Sequence, residues 1–145
     1  MATDKSKQLE TTITLVNNKL HFMGKVEPND PVSIDYTAPV GDNLGYTSLE
    51  LFLLSFSSCV GSLVLTLVRR MGRTINGFDI KASGVRREQH PTCFSSITLE
   101  IILQSPDVTE AEFEKAVTLS DDKLCPVRAM MRVDIPVNII RTIIR

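Results

Sequence analysis

A chain of 145 residues, 43% hydrophobic and 23% charged, has the size and composition of one globular domain, 1–145, and not of a disordered segment. Its net charge of −1 leaves no dominant basic footprint, so no nucleic-acid partner is expected, despite the clusters Arg69, Arg70, Arg73 and Arg86, Arg87. Three cysteines without a CxxC pair and two distant histidines argue against a disulfide framework and a structural metal site; no cofactor is expected.

The polar stretch MATDKSKQLE carries no apolar leader core, and the odd cysteine count suits a reducing cytoplasm. Thr12 to Val16 is β-prone, Asn17-Asn18 signals a turn, and Leu20, Phe22 and Val26 then alternate with polar residues, which predicts a hairpin. Val32, Ile34 and Tyr36 predict a third strand, and the glycines and proline of 39–46 a loop. Thr47-Ser48-Leu49-Glu50 matches a capping box and opens a helix that runs to about Arg70, with Gly72 as its stop.

Phe78, Ile80 and Ala82, then Ile97, Leu99, Ile101 and Leu103, alternate on either side of a polar turn at 86–92 and predict a longer hairpin. Thr109-Glu110-Ala111-Glu112 is a second capping box, for a surface helix that Asp121-Asp122-Lys123 should break. Pro126 suits the first turn of a short helix and places Cys125 near its N-cap. Val133, Ile135 and Val137 predict a last strand, set at a sheet edge by Pro136. The fold class is α+β, with antiparallel sheets packed around a long central helix.

Between Leu49 and Val68 the only charge is Glu50, and that length could cross a bilayer. Gly61, Thr66 and four serines interrupt it, and the amphipathic strands around it need an apolar partner. No membrane is expected, and a doubly buried helix is. A helix apolar on all sides needs cover on all sides, which a chain this small supplies only by pairing, so a homodimer is expected.

Cys59 lies in the middle of that helix, flanked by Ser57, Ser58 and Gly61. A buried free cysteine can be no more than a small apolar filler. Cys125, at a helix N-terminus, meets exposed N–H groups that favour a thiolate. Together the two permit a peroxide cycle: one thiolate becomes a sulfenic acid, the other condenses with it to a disulfide, and an external thiol reduces the product. Their spacing does not decide whether they meet. An acyl hydrolase built on Ser57 or Ser58 lacks the G-x-S-x-G elbow.

The run from Tyr46 to Cys59, the stretch Arg86-Arg87-Glu88-Gln89-His90-Pro91 with Phe94, the strand Ile97 to Leu103, and Lys123-Leu124-Cys125-Pro126-Val127 occur in the order found in the OsmC/Ohr family. The chain resembles that family over roughly residues 11 to 137. The resemblance implies an OsmC-like, intertwined dimer with both central helices buried between two sheets. It also implies a thiol-dependent peroxidase for organic hydroperoxides in oxidative-stress defence, with a dithiol such as lipoyl as reductant. Cys59 would be the peroxidatic cysteine and Cys125 the resolving one. The peroxidase branch pairs an N-terminal arginine with a glutamate ten residues before the cysteine. Here the first arginine is Arg69, and Leu49 stands at that place. Glu50, one residue on, serves either its capping box or the active-site network. Arg86, Arg87 or Arg128 would supply the replacement cation in the dimer, the first two from the hairpin across it. The chain is thus similar to a branch outside the typical Ohr peroxidases, and slow turnover is expected, since burial without a cation disfavours a thiolate. The alternative is a small-ligand-binding or redox-sensing OsmC-like protein with little peroxidase activity.

Overall fold

The computed structural model describes residues 7–145; residues 1–6, the start of the polar N-terminal stretch, lie outside them. The chain divides into two compact units, ending and beginning at Phe52 and Leu53.

In the first unit, β1 (Thr12–Leu15), β2 (Phe22–Lys25) and β3 (Val32–Ile34) form an antiparallel sheet in that order. The turn between β1 and β2 is built by Asn17, whose Oδ1 accepts the N–H groups of Lys19 and His21, both at 3.0 Å. This longer turn leaves Leu20 outside the strands, and Tyr36 likewise lies beyond β3. Pairing of Ile13 with Gly24, Leu15 with Phe22 and Phe22 with Ile34 puts the large apolar side chains on one face. The loop that follows is organised by Asp35. Its fully buried carboxylate accepts N–H bonds from Tyr36, Asp42 and Leu44. Burial alone would raise its pKa, but these three donors outweigh that and hold it below the ordinary carboxylate value.

Helix α1 (Ser48–Arg70) starts where the capping box places it. Thr47 N–H donates to Glu50 Oε1 at 2.8 Å, and Glu50 N–H donates to Thr47 Oγ1 at 3.3 Å. Gly72, at φ 74°, ends the helix; the N–H groups of Gly72 and Arg73 satisfy the carbonyls of Arg69 and Val68.

In the second unit, β4 (Gly77–Arg86) and β5 (Phe94–Gln104) pair antiparallel, and β6 (Val137–Ile144) joins the far side of β5. Ile97, Leu99, Ile101 and Leu103 are fully buried, as their period of two requires. Phe56, Val60, Val64 and Val68, spaced four apart on α1, are buried in the same unit. So are Phe113, Ala116 and Val117 of α2 (Glu110–Leu119), whose Thr109–Glu112 capping box forms as expected.

Three further features depart from the sequence reading. The sheet is mixed, because β6 runs parallel to β5. The connection between them passes through α2 and α3 (Pro126–Met130), and a helical crossover returns the chain to run in the same direction. The last strand begins at Val137: Val133–Ile135 are held in a turn, closed by Ile135 N–H to Arg132 O and the Arg132–Asp134 ion pair. It remains at a sheet edge, with Pro136 just before the ladder. Finally, α1 is buried along one stripe only, and Leu54 is 52% exposed within a single chain.

Candidate active site

Cys59 is half-buried on α1, between the buried Phe56 and Val60. Cys125 is held in place from both directions along the chain. After α2 the backbone widens into one π-helical turn over Ser120–Leu124, which Cys125 N–H closes by donating to Ser120 O at 2.9 Å. Cys125 is then the N-cap of α3: its Sγ accepts the N–H of Arg128 at 3.3 Å. Pro126, which has no N–H to satisfy, follows at the first helical position.

These two placements bring the sulfurs together. Cys125 Sγ lies 3.0 Å from Cys59 Sγ, with the Cys125 thiol donating. A disulfide bond is about 2.05 Å long, so roughly 1 Å of approach separates the contact from a covalent bond. Burial pushes the Cys125 thiol up from 9.0 to about 11, the bond to Cys59 adds to the rise, and the N–H groups of α3 oppose it. Cys125 is therefore a protonated donor at neutral pH. Cys93 is separate, in the β4–β5 turn, where its carbonyl accepts Arg87 N–H and its own N–H donates to Pro91 O.

The expected supporting residues are engaged elsewhere in their own chain. Glu50 closes the α1 cap, and the Thr47 donors lower its pKa. The Arg86 guanidinium donates to Thr92 O and Thr92 Oγ1, and that of Arg87 to Gln89 O and His90 O. Both arginines thus stabilise the hairpin turn. The cation built into the Cys125 segment is Arg128, whose Nε lies 3.1 Å from Asp121 Oδ1. Asp121 was legible in sequence only as a helix breaker; it lies seven positions before Arg128, a spacing that shares a face in one continuous helix, but here the π-helical turn and the Cys125 cap interrupt the helix between them. Burial raises the Asp121 pKa, and Arg128 opposes that. Among the described residues, no three His, Cys, Asp or Glu side chains converge to hold a metal ion.

Comparison with known proteins agrees with this architecture. The family model described as OsmC-like protein matches residues 41–140. Protein YhfA of Escherichia coli strain K12 is 26% identical over 112 residues, covering 77% of this chain and 81% of YhfA. A hypothetical protein from Aquifex aeolicus VF5 superposes with a TM-score of 0.83 at 25% identity, over 95% of this chain and 97% of the other. An organic hydroperoxide resistance protein from Elizabethkingia anophelis shares the fold with a TM-score of 0.66 at 16% identity, over 97% and 98%. The expected α+β, OsmC-like architecture is the one observed. With most of its length matched by the family model and its fold shared end to end with these structures, the chain belongs to the OsmC-like protein family.

Proposed function

We propose that this protein is a cytoplasmic, thiol-dependent peroxidase that reduces organic hydroperoxides through Cys59 and Cys125, working as a homodimer of one OsmC-like domain per chain. The observation that carries this reading is the 3.0 Å contact between the two sulfurs, with Cys125 as the proton donor.

In the first step the Cys59 thiolate attacks the distal peroxide oxygen. The O–O bond breaks, Cys59 becomes a sulfenic acid, and the alkoxide leaves as the alcohol after taking a proton. Cys125 then attacks the sulfenic sulfur, water departs, and the Cys59–Cys125 disulfide forms. An external dithiol returns both cysteines to thiols and is itself oxidised. The raised pKa of Cys125 keeps its thiol protonated beside Cys59 until the sulfenic acid forms; to attack the sulfenic sulfur it gives up that proton, which leaves with the departing water. The hydroperoxide resistance protein from Elizabethkingia anophelis lends this reading support at the level of fold.

Two open surfaces support the dimer. On α1, Leu54, Ser57, Ser58, Gly61, Ser62 and Leu65 line a groove of about 370 Å³ with Phe78 and Ile80 of β4. In the first unit, Ile13 and Leu15, on the apolar face of the small sheet, are 61% and 51% exposed. Apolar faces of this kind call for a partner.

The test is consumption of cumene hydroperoxide by the purified protein with dithiothreitol. Turnover that is abolished in Cys59→Ser and cut strongly in Cys125→Ser supports the proposal. Turnover unchanged in Cys59→Ser refutes it. The ligand-binding or sensing alternative predicts one stoichiometric oxidation without turnover.

A further inference from the structure

The Asp121–Arg128 pair plays no part in the peroxide chemistry above, yet it encloses Cys125. Asp121 lies in the wide turn that leads into Cys125, one residue after its start at Ser120, and Arg128 ends the first turn of the helix that leads out of it. Their side chains are only 12% and 24% exposed. Other surface pairs, such as Arg132–Asp134 at 63% and 61%, are far more open and therefore worth little. Asp121 Oδ1 has no well-formed hydrogen bond, so its approach to Arg128 Nε is ionic and oblique. A buried carboxylate satisfied this incompletely is costly to fold, and neither α2 nor α3 needs it for capping.

The pair does close a ring. The chain passes from Asp121 through the π-helical turn to Cys125, continues through the first turn of α3 to Arg128, and returns to Asp121 across the ion pair. Cys125 N–H is fixed on Ser120 O, just before the ring, and Cys125 Sγ on Arg128 N–H within it. From this geometry we infer that Asp121 is a positioning residue: through Arg128 it holds Cys125 Sγ against Cys59 and so favours the disulfide over the dithiol. The inference rests on the reading of Cys59 and Cys125 as a redox pair. A held sulfur loses less freedom when the S–S bond forms, which raises the effective concentration of one thiol at the other.

The test is the thiol–disulfide equilibrium with dithiothreitol in a Cys93→Ser background. The protein S–S bond forms as both thiols give up their protons, and the two electrons reduce oxidised dithiothreitol to the dithiol. Mixtures are quenched with N-ethylmaleimide and read by intact mass, at a temperature where circular dichroism shows every variant folded. Asp121→Asn should favour the dithiol about tenfold, a potential about 30 mV more positive. Asp121→Leu with Arg128→Met, which replaces the pair by apolar side chains, should show the same loss and stands in if the single variant does not fold. Arg73→Gln, which breaks the distant Arg73–Glu112 pair, should lower stability and leave the equilibrium unchanged. An equilibrium within twofold of the parent in both Asp121 variants, or an equal shift in Arg73→Gln, overturns the inference. A parent protein that forms no Cys59–Cys125 disulfide refutes the redox-pair reading itself, and the inference with it.

Discussion

Removing Cys59 should make Cys125 more acidic. The Cys125 thiol stands at about 11 against an ordinary 9.0, first because of burial and next because it donates to Cys59 Sγ; Coulombic repulsion from Cys59 adds a smaller part. Two units correspond to about a hundredfold less thiolate at neutral pH than an unperturbed cysteine carries. Cys59→Ala deletes the second cause and the Coulombic one and leaves burial. The midpoint of Cys125 alkylation by iodoacetamide should therefore fall below that of the parent and stay above 9. The same shift has a consequence for stability. The folded state holds its proton more tightly than the unfolded chain, so the contribution is intact below about 9 and is lost as pH rises toward about 11. The assay follows alkylation by mass against pH in a Cys93→Ser background, and it reads the midpoint, because the absolute rate also reflects access. A parent midpoint near 9, or one that does not move in Cys59→Ala, would refute the account of Cys125 as a buried donor to Cys59.

Three further outcomes follow from the structure. Leu99→Ala empties a fully buried position on β5 and should cost about 2–5 kcal/mol in urea unfolding, with no change in the protein's secondary structure at low denaturant. A side chain at Gly84 would run into the Phe94 ring, so Gly84→Val should displace that ring and cost about 1–3 kcal/mol, measured by thermal unfolding. Glu112 is held down to about 2 from 4.5, first by the Arg73 hydrogen bonds and next by Thr109 N–H. A lowered carboxylate pKa gives stability that is present above 4.5 and lost as pH falls toward 2, and an acid titration of unfolding should show Arg73→Gln losing the larger part of this dependence.

Much of this architecture could be read in the sequence because its signals are local. Both capping boxes, the Gly72 stop and the N-cap position of Cys125 each need only three or four consecutive residues, and all form. The buried face of β5 follows from strict alternation. The parallel setting of β6 is different, since it depends on the path of the crossover and leaves no trace in the pattern of Val137–Ile144. Val133–Ile135 alternate like a strand but sit in a turn fixed by the Arg132–Asp134 pair. At the candidate site, helix position singled out Cys59 and Cys125, resemblance implied their roles, and the structure supplies what spacing could not, their contact across 66 positions of chain. The π-helical turn and the Asp121–Arg128 pair were not legible, because each depends on how one turn widens to meet the next.

Intact-mass analysis after one equivalent of cumene hydroperoxide tests whether Cys59 and Cys125 form a working redox pair. The wild type should become two hydrogens lighter, with a Cys59–Cys125 cross-link in its peptide map, and Cys125→Ser should gain one oxygen on Cys59. Oxidation at Cys93, or a wild type that stays a dithiol while peroxide persists, would contradict that pairing.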